Sequence, residues 1–165
     1  MIEIKAAEIN DLPVIKKLAY EIWPSSYLEI LGIDQLNYML EKIYSLSSLE
    51  HQFLVLKHQF ILVVENETAI GFASFSAHEN RYVFHLNKIY VLPGQQGKNI
   101  GKKILHYIIA QIKKVGATAL QLNVNRNNKA LHFYQKQGFE IIGEEDIDIG
   151  CGYFMNDYVM ELKLQ

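Results

Sequence analysis

The sequence predicts an α/β (α+β) domain: a mixed, mostly antiparallel sheet of six to seven strands with helices on both faces. Three observations predict it. Short apolar runs of strand type recur along the whole chain, segments with helical spacing interrupt them, and Gly, Asn or Pro residues punctuate the joins.

Taken in order, Ile2 to Ala7 alternates as a first strand. Asn10 or Asp11 caps the next helix, with Pro13 in its first turn; Leu12, Ile15, Leu18, Ala19 and Ile22 recur at helical spacing and Pro24 is expected to end the run. Asp34 to about Leu46 forms a second amphipathic helix, and Ser48 to Lys57 reads as a further helical piece. Phe60–Glu65, the turn Asn66-Glu67-Thr68 and Ala69–Ala77 make a strand, turn and strand. Glu79-Asn80 turns the chain into a long strand, Val83 to Leu92. A helix from about Asn99 to Val115 is stopped by Gly116, and a strand at Thr118–Val124 precedes a short helix. Phe139–Ile149 and Tyr153–Leu164 close the sheet as two strands around Gly150 and Gly152.

Composition sets bounds on function. Half of the 165 residues are hydrophobic and 21% are charged, which suits one domain with a substantial core, residues 1–165. A net charge of −2 gives no broad attraction to nucleic acid. The single cysteine, Cys151, has no internal partner, and the six histidines show no zinc-site spacing, so no metal is expected. The N-terminus alternates like a strand rather than reading as a secretory signal. Apolar runs such as Phe60 to Val64 are far too short to span a bilayer, so no membrane association and a cytoplasmic location are expected.

The stretch from Lys88 to Lys103 carries the chemistry. An apolar strand stops at Pro93, a small polar turn follows, and an amphipathic helix (Ile104, Leu105, Ile108, Ile109, Ile112) starts without a spacer. That order points free backbone N–H groups and the positive end of a helix dipole at one spot, a seat for phosphate. Lys98, Lys102 and Lys103 add positive charge. A Walker-type phosphate loop is excluded, because its Gly-Lys-Ser/Thr spacing cannot be laid on these residues. An ordinary strand-to-helix turn with solvated lysines is the bland alternative.

Gln96-Gly97-Lys98-Asn99-Ile100-Gly101 resembles the Gln/Arg-x-x-Gly-x-Gly/Ala pyrophosphate loop of the GNAT superfamily of N-acetyltransferases. Asn99 stands where that pattern has its first glycine, and asparagine tolerates a left-handed backbone. Downstream, Asn127-Asn128-Lys129-Ala130-Leu131-His132-Phe133-Tyr134, ending at Gly138-Phe139, is similar to the second acetyl-CoA motif of the same superfamily. The resemblance implies the GNAT fold over nearly the full length, acetyl-CoA as co-substrate, a primary-amine acceptor and, in many members, pairing into homodimers.

Residue by residue, the resemblance assigns cofactor binding to Gln96, Gly97, Lys98, Asn99, Ile100, Gly101 and Lys102, and to the main chain of Ile89 and Val91. It adds Asn127 at the pantetheine end and Lys136 toward the ribose phosphate. Tyr134 matches the general acid that protonates the departing thiolate; a phenol keeps its proton at neutral pH. His85 occupies the position where some members place a carboxylate base, with Glu79, Tyr90 or a water chain as alternatives. On the acceptor side, Trp23 and Tyr27, in the segment joining the first two helices, and Asp157 suit a protonated amine. The acidic run Glu144, Glu145, Asp146, Asp148 reads first as a solvated edge, with a field favouring cations as the second reading.

The ending Phe154-Met155-Asn156-Asp157-Tyr158-Val159-Met160 is similar to members that acetylate polyamines or small amines. A small cationic amine is therefore the expected acceptor, against a protein N-terminus or lysine. Two other classes stay open: a non-catalytic acyl-CoA-binding module, and a nucleotide-binding protein that uses the basic loop.

Overall fold

The structure is a computed structural model and describes residues 1–95 and 97–165; the expected loop residue Gln96 lies outside them. Seven strands form one sheet: β1 (Ile2–Ala6), β2 (Gln59–Glu65), β3 (Thr68–Ala77), β4 (Val83–Val91), β5 (Ala119–Asn125), β6 (Glu140–Gly150) and β7 (Tyr153–Lys163). Among the described residues five α-helices accompany them: α1 (Leu12–Leu31), α2 (Ile33–Tyr44), α3 (Leu46–Leu54), α4 (Ile100–Lys113) and α5 (Ala130–Lys136). The strand order is β1-β2-β3-β4-β5-β7-β6. Among these neighbours β4 and β5 run parallel and the other pairs antiparallel.

Each sheet face carries its own core. Helix α4 turns Ile104, Leu105, Ile108 and Ile112 onto Phe75, Phe84, Leu86, Leu120 and Leu122. Fully burying one such isoleucine contributes about 1.5–3 kcal/mol, so this i, i+4, i+8 stripe anchors the helix whose first turn borders the site. On the other face α1, α2 and α3 bury Ile15, Ile22, Trp23, Leu36, Tyr44 and Leu49 against Phe60, Leu62 and Phe72.

Between β3 and β4 the register shifts after Ser74↔Lys88 to Phe75↔Leu86, leaving Asn87 as an extra residue. Such a bulge resets the in/out alternation. Phe84 and Leu86 face α4, and after the bulge Ile89 and Val91 pack on that same core while Tyr90 joins the α1 face. Lys88 is turned to the α1 face too, with its ammonium 5.7 Å from the ring centroids of both Tyr44 and Phe60.

Two helical expectations are corrected. Pro24 does not end α1; the helix continues to Leu31 and stops at Gly32, where φ is +79°. A proline removes one helical hydrogen bond and crowds one carbonyl. Here Ser25 Oγ donates to the Ile22 carbonyl at 2.9 Å, and Trp23 and Tyr27, buried on the sheet side, hold both flanking turns in place. The third helix starts at Leu46, earlier than Ser48, because Ser45 Oγ accepts from the Ser48 N–H and caps it. Among the described residues no helix is long and apolar enough to cross a membrane.

Candidate active site

The site lies where the sheet opens. The parallel pairing of β4 with β5 ends at Leu86↔Leu122, yet β4 runs on to Val91 and β5 to Asn125. Strands that continue after their ladder stops leave a gap lined by backbone polar groups and by side chains of both edges.

On one side of this gap, the loop after β4 and the first turn of α4 face α5 across a cleft of about 460 Å³. Its walls include Ile89, Val91, Gly97, Asn99, Phe133 and Tyr134. The loop reverses through left-handed backbone at Gly94, Gly97 and Asn99, with φ of +91°, +85° and +56°. Asn99 takes the geometry expected of it and precedes the first helical residue, Ile100, so the unpaired N–H groups of α4 begin there. Gly101 keeps the cleft open: a Cβ at that position would meet Phe133 Cζ at 3.3 Å. Lys102 and Lys136 also line the cleft. The Lys98 ammonium is engaged elsewhere, at 3.0 Å from Glu65 Oε1 and 2.8 Å from Gln95 Oε1.

On the α1 side of the gap is a smaller cavity of about 170 Å³, lined by Tyr27, Lys88, Tyr90, Asn123, Asn128 and Tyr134 among others. Tyr134 thus belongs to both, as do Ile89, Val91 and Ala130. Its ring is packed edge-on against Phe133 and Phe139, at 5.4 and 5.7 Å. Burial raises its pKa, so the hydroxyl keeps its proton.

The floor of the smaller cavity is phenolic. The Tyr27 and Tyr90 hydroxyls are 2.9 Å apart, and Asn128 Nδ2 donates to Tyr27 Oη at 3.4 Å. Burial raises the pKa of both phenols, so neither is a base near neutral pH. Trp23 does not line this cavity; it lies buried beneath it, 4.6 Å from the Tyr27 ring and 5.9 Å from the Tyr90 ring. Asp157 sits on β7 one strand beyond, its Oδ2 accepting from Asn123 Nδ2 at 3.4 Å. Burial raises its pKa.

The remaining expected residues lie apart. His85 is absent from both cleft walls and faces His78 at 5.5 Å; burial and the neighbouring His78, His58 and Lys88 lower its pKa to about 4. Glu79 is exposed in the turn before β4, at the end of the strand away from the gap. Asn127 borders a third hollow of about 410 Å³ with Ser25, Ser26, Pro93 and Lys129, which meets the others at Val91.

Lys88, Asn123 and Asn128 also line the cavity, although sequence patterning does not single them out as site residues. Lys88 donates to Gln52 Oε1 at 2.6 Å, and desolvation lowers its pKa to about 8. A lysine next to the apolar run Ile89-Tyr90-Val91 is the signal that could have flagged it. Among the described residues no group of three or more His, Cys, Asp and Glu side chains is placed to hold a metal ion.

A sheet split between two parallel strands thus carries a glycine-bearing loop and a helix start on one side, a phenolic pocket on the other, and one wall common to both. Residues 16–139 match the acetyltransferase (GNAT) family, and the chain belongs to that family. It is 28% identical to the spermidine N(1)-acetyltransferase of Thermoplasma acidophilum, over 99% of this chain and 98% of that one. It is 35% identical to an uncharacterized N-acetyltransferase of Mycobacterium tuberculosis, but there the match spans only 58% of this chain and 60% of the relative. Among solved structures, the PaiA N-acetyltransferase of Thermoplasma acidophilum in complex with coenzyme A superposes with a TM-score of 0.84 at 27% identity, covering 99% of both chains. The ribosomal-protein-S18-alanine N-acetyltransferase of Escherichia coli shares the fold, with a TM-score of 0.74 at 19% identity, covering 99% of this chain and 94% of that one.

Proposed function

We propose that this chain moves the acetyl group of acetyl-CoA to a primary amine by direct attack in a ternary complex, and that the acceptor is a small cationic amine such as a polyamine. The observation that carries the reading is that Tyr134 stands in the wall shared by the two clefts. A donor threaded along one cleft and an acceptor seated in the other meet at its hydroxyl.

The larger cleft fits coenzyme A on its own features. Left-handed backbone at Gly97 and Asn99 turns the loop's amides toward the start of α4, and the missing Cβ of Gly101 leaves room beside Phe133. Main-chain N–H groups of the loop and of the first turn of α4 hold the diphosphate, while Lys102 and Lys136 add charge. Ile89 and Val91 offer unpaired main-chain groups beyond the end of the β4–β5 ladder, suited to an amide-bearing arm and to the thioester carbonyl. Tyr134 then gives its proton to the departing sulfur.

Beside the Lys88 ammonium, which is turned onto Gln52 Oε1, the acceptor cavity offers hydroxyls, amides and aromatic faces that solvate a second ammonium. The likeness to the spermidine N(1)-acetyltransferase supports a polyamine acceptor. With His85 outside the cavity wall, a water held by the Tyr27, Tyr90 and Asn123 side chains is the route by which the amine loses its proton. The test is thiol release from acetyl-CoA with polyamines, amino acids, aminoglycosides and peptides as acceptors. Turnover is expected with polyamines. Turnover with peptides and none with polyamines assigns a protein N-terminus or lysine instead, and coenzyme A binding without turnover of any amine makes the chain an acyl-CoA-binding module.

A further inference from the structure

Among the described residues Asp157 is the one carboxylate buried to 5% exposure. Its Oδ1 has no hydrogen-bond partner, and its Oδ2 has only the 3.4 Å contact from Asn123. Among the described residues no ion pair neutralises it: the nearby Arg126 guanidinium bonds Asp146 Oδ1 at 2.9 Å and reaches Asp157 only at its main-chain oxygen. Its register partner on β6 is Glu145, whose side chain therefore shares a face with it. Like charges directly opposite each other weaken a strand pair, and a buried carboxylate with an idle oxygen is costly. Both penalties vanish when a cation sits between them.

The place of this pair relative to the reaction decides its use. Asn123, which Asp157 touches, lines the acceptor cavity, and the Asp157 charge contributes to the raised pKa of the Tyr27 hydroxyl in the same wall. The reacting centre belongs beside Tyr134 and Ile89, on β4. From β4 across β5 to β7 is at least two strand spacings, on the order of 10 Å or more, because β4 and β5 have parted at this level. Direct proton transfer needs about 3 Å, so Asp157 does not take the proton of the attacking amine. After allowing about 3 Å of contact at each end, at least about 4 Å is left between two nitrogens, a span for a diamine with roughly two or more carbons in its spacer.

We propose that Asp157, buried behind the cavity residue Asn123, and Glu145, exposed opposite it on β6, form a subsite for a second ammonium group of the acceptor, so that the protein selects diamines and oligoamines over monoamines. This rests on the reading that the acceptor is a small cationic amine. The test compares kcat/KM for 1,4-diaminobutane and n-butylamine in the wild type, Asp157→Asn and the exposed-site variant Glu145→Gln. Wild type should prefer the diamine by about tenfold or more, as expected for a desolvated charge pair. Asp157→Asn should bring the ratio close to one through KM, with Glu145→Gln between. A wild-type ratio near one, an unchanged ratio in Asp157→Asn, or an equal loss of kcat with both amines overturns the subsite. If the wild type acetylates neither amine, the acceptor reading fails on its own. Calorimetry of spermidine with the protein saturated in coenzyme A then decides the subsite: heat that is lost in Asp157→Asn supports it, and no heat with wild type refutes it.

Discussion

Replacing Tyr134 by phenylalanine removes one oxygen from the junction of the two clefts and leaves the ring in place. The ring contacts with Phe133 and Phe139 account for its packing, and among the described residues no hydrogen bond engages its hydroxyl. The variant should therefore melt within about 1 °C of wild type, since a surface-like loss of a few tenths of a kcal/mol is all that is at stake. Catalysis should respond very differently. A positioned general acid is worth about 10²-fold or more, or about 2.7 kcal/mol of barrier, so kcat should fall by that factor. The KM for acetyl-CoA should stay within about twofold, because the hydroxyl acts on the transition state rather than on binding. Because burial raises the Tyr134 pKa, the acid stays protonated across the assay range, and the wild-type rate should show no alkaline decline attributable to it up to about pH 10. Stopped-time thiol-release assays with the better polyamine acceptor, run from pH 6 to 10, provide both numbers. A kcat loss under about threefold would refute the general-acid assignment.

Further outcomes follow from other residues. Lys88 has its pKa lowered to about 8, so the cost of burying its charge is fully present below that pH and disappears as pH rises toward 10.5. Lys88→Met should thus melt higher than wild type at pH 7, by up to the order of 3 kcal/mol, with the difference shrinking between pH 8 and 10. His58 and His85 have pKa values lowered to about 4, so both stay neutral in the folded protein while the unfolded chain binds protons below pH 6.5. Stability should fall as pH drops from 6.5 to 4, and His85→Asn should flatten that slope in melts followed by circular dichroism. Gly101→Ala puts a methyl against Phe133 in the cleft wall; it should weaken coenzyme A by about tenfold in calorimetry without lowering the melting temperature, since alanine favours the helix by about 1 kcal/mol.

The cleft beside the loop after β4 is largely legible in the sequence, because its geometry is local. The left-handed turn at Asn99, the start of α4 at Ile100 and the pairing of Phe133 with Tyr134 all follow from neighbours a few residues apart. The smaller cavity is not. Nothing local marks Lys88 as inward-facing: its hydrogen-bond partner Gln52 is 36 residues away, and the bulge at Asn87 sets which face it takes. Pro24 reads as a helix stop because local propensity disfavours it, yet burial of Trp23 and Tyr27 carries α1 past it. His85 matches a motif position, but the residues that surround it in space are other histidines and Lys88 rather than the cavity.

The order of strands has a bearing on how the molecule is made. β7 is inserted between β5 and β6, so during synthesis β5 keeps an open edge until Tyr153–Lys163 emerges. The half that would grip the nucleotide can assemble from strands β1 to β5 with α4, whereas the wall carrying Asp157 arrives last and seals a waiting seam. A chain cut short before β7 would lose that wall altogether and leave β5 sticky toward other chains.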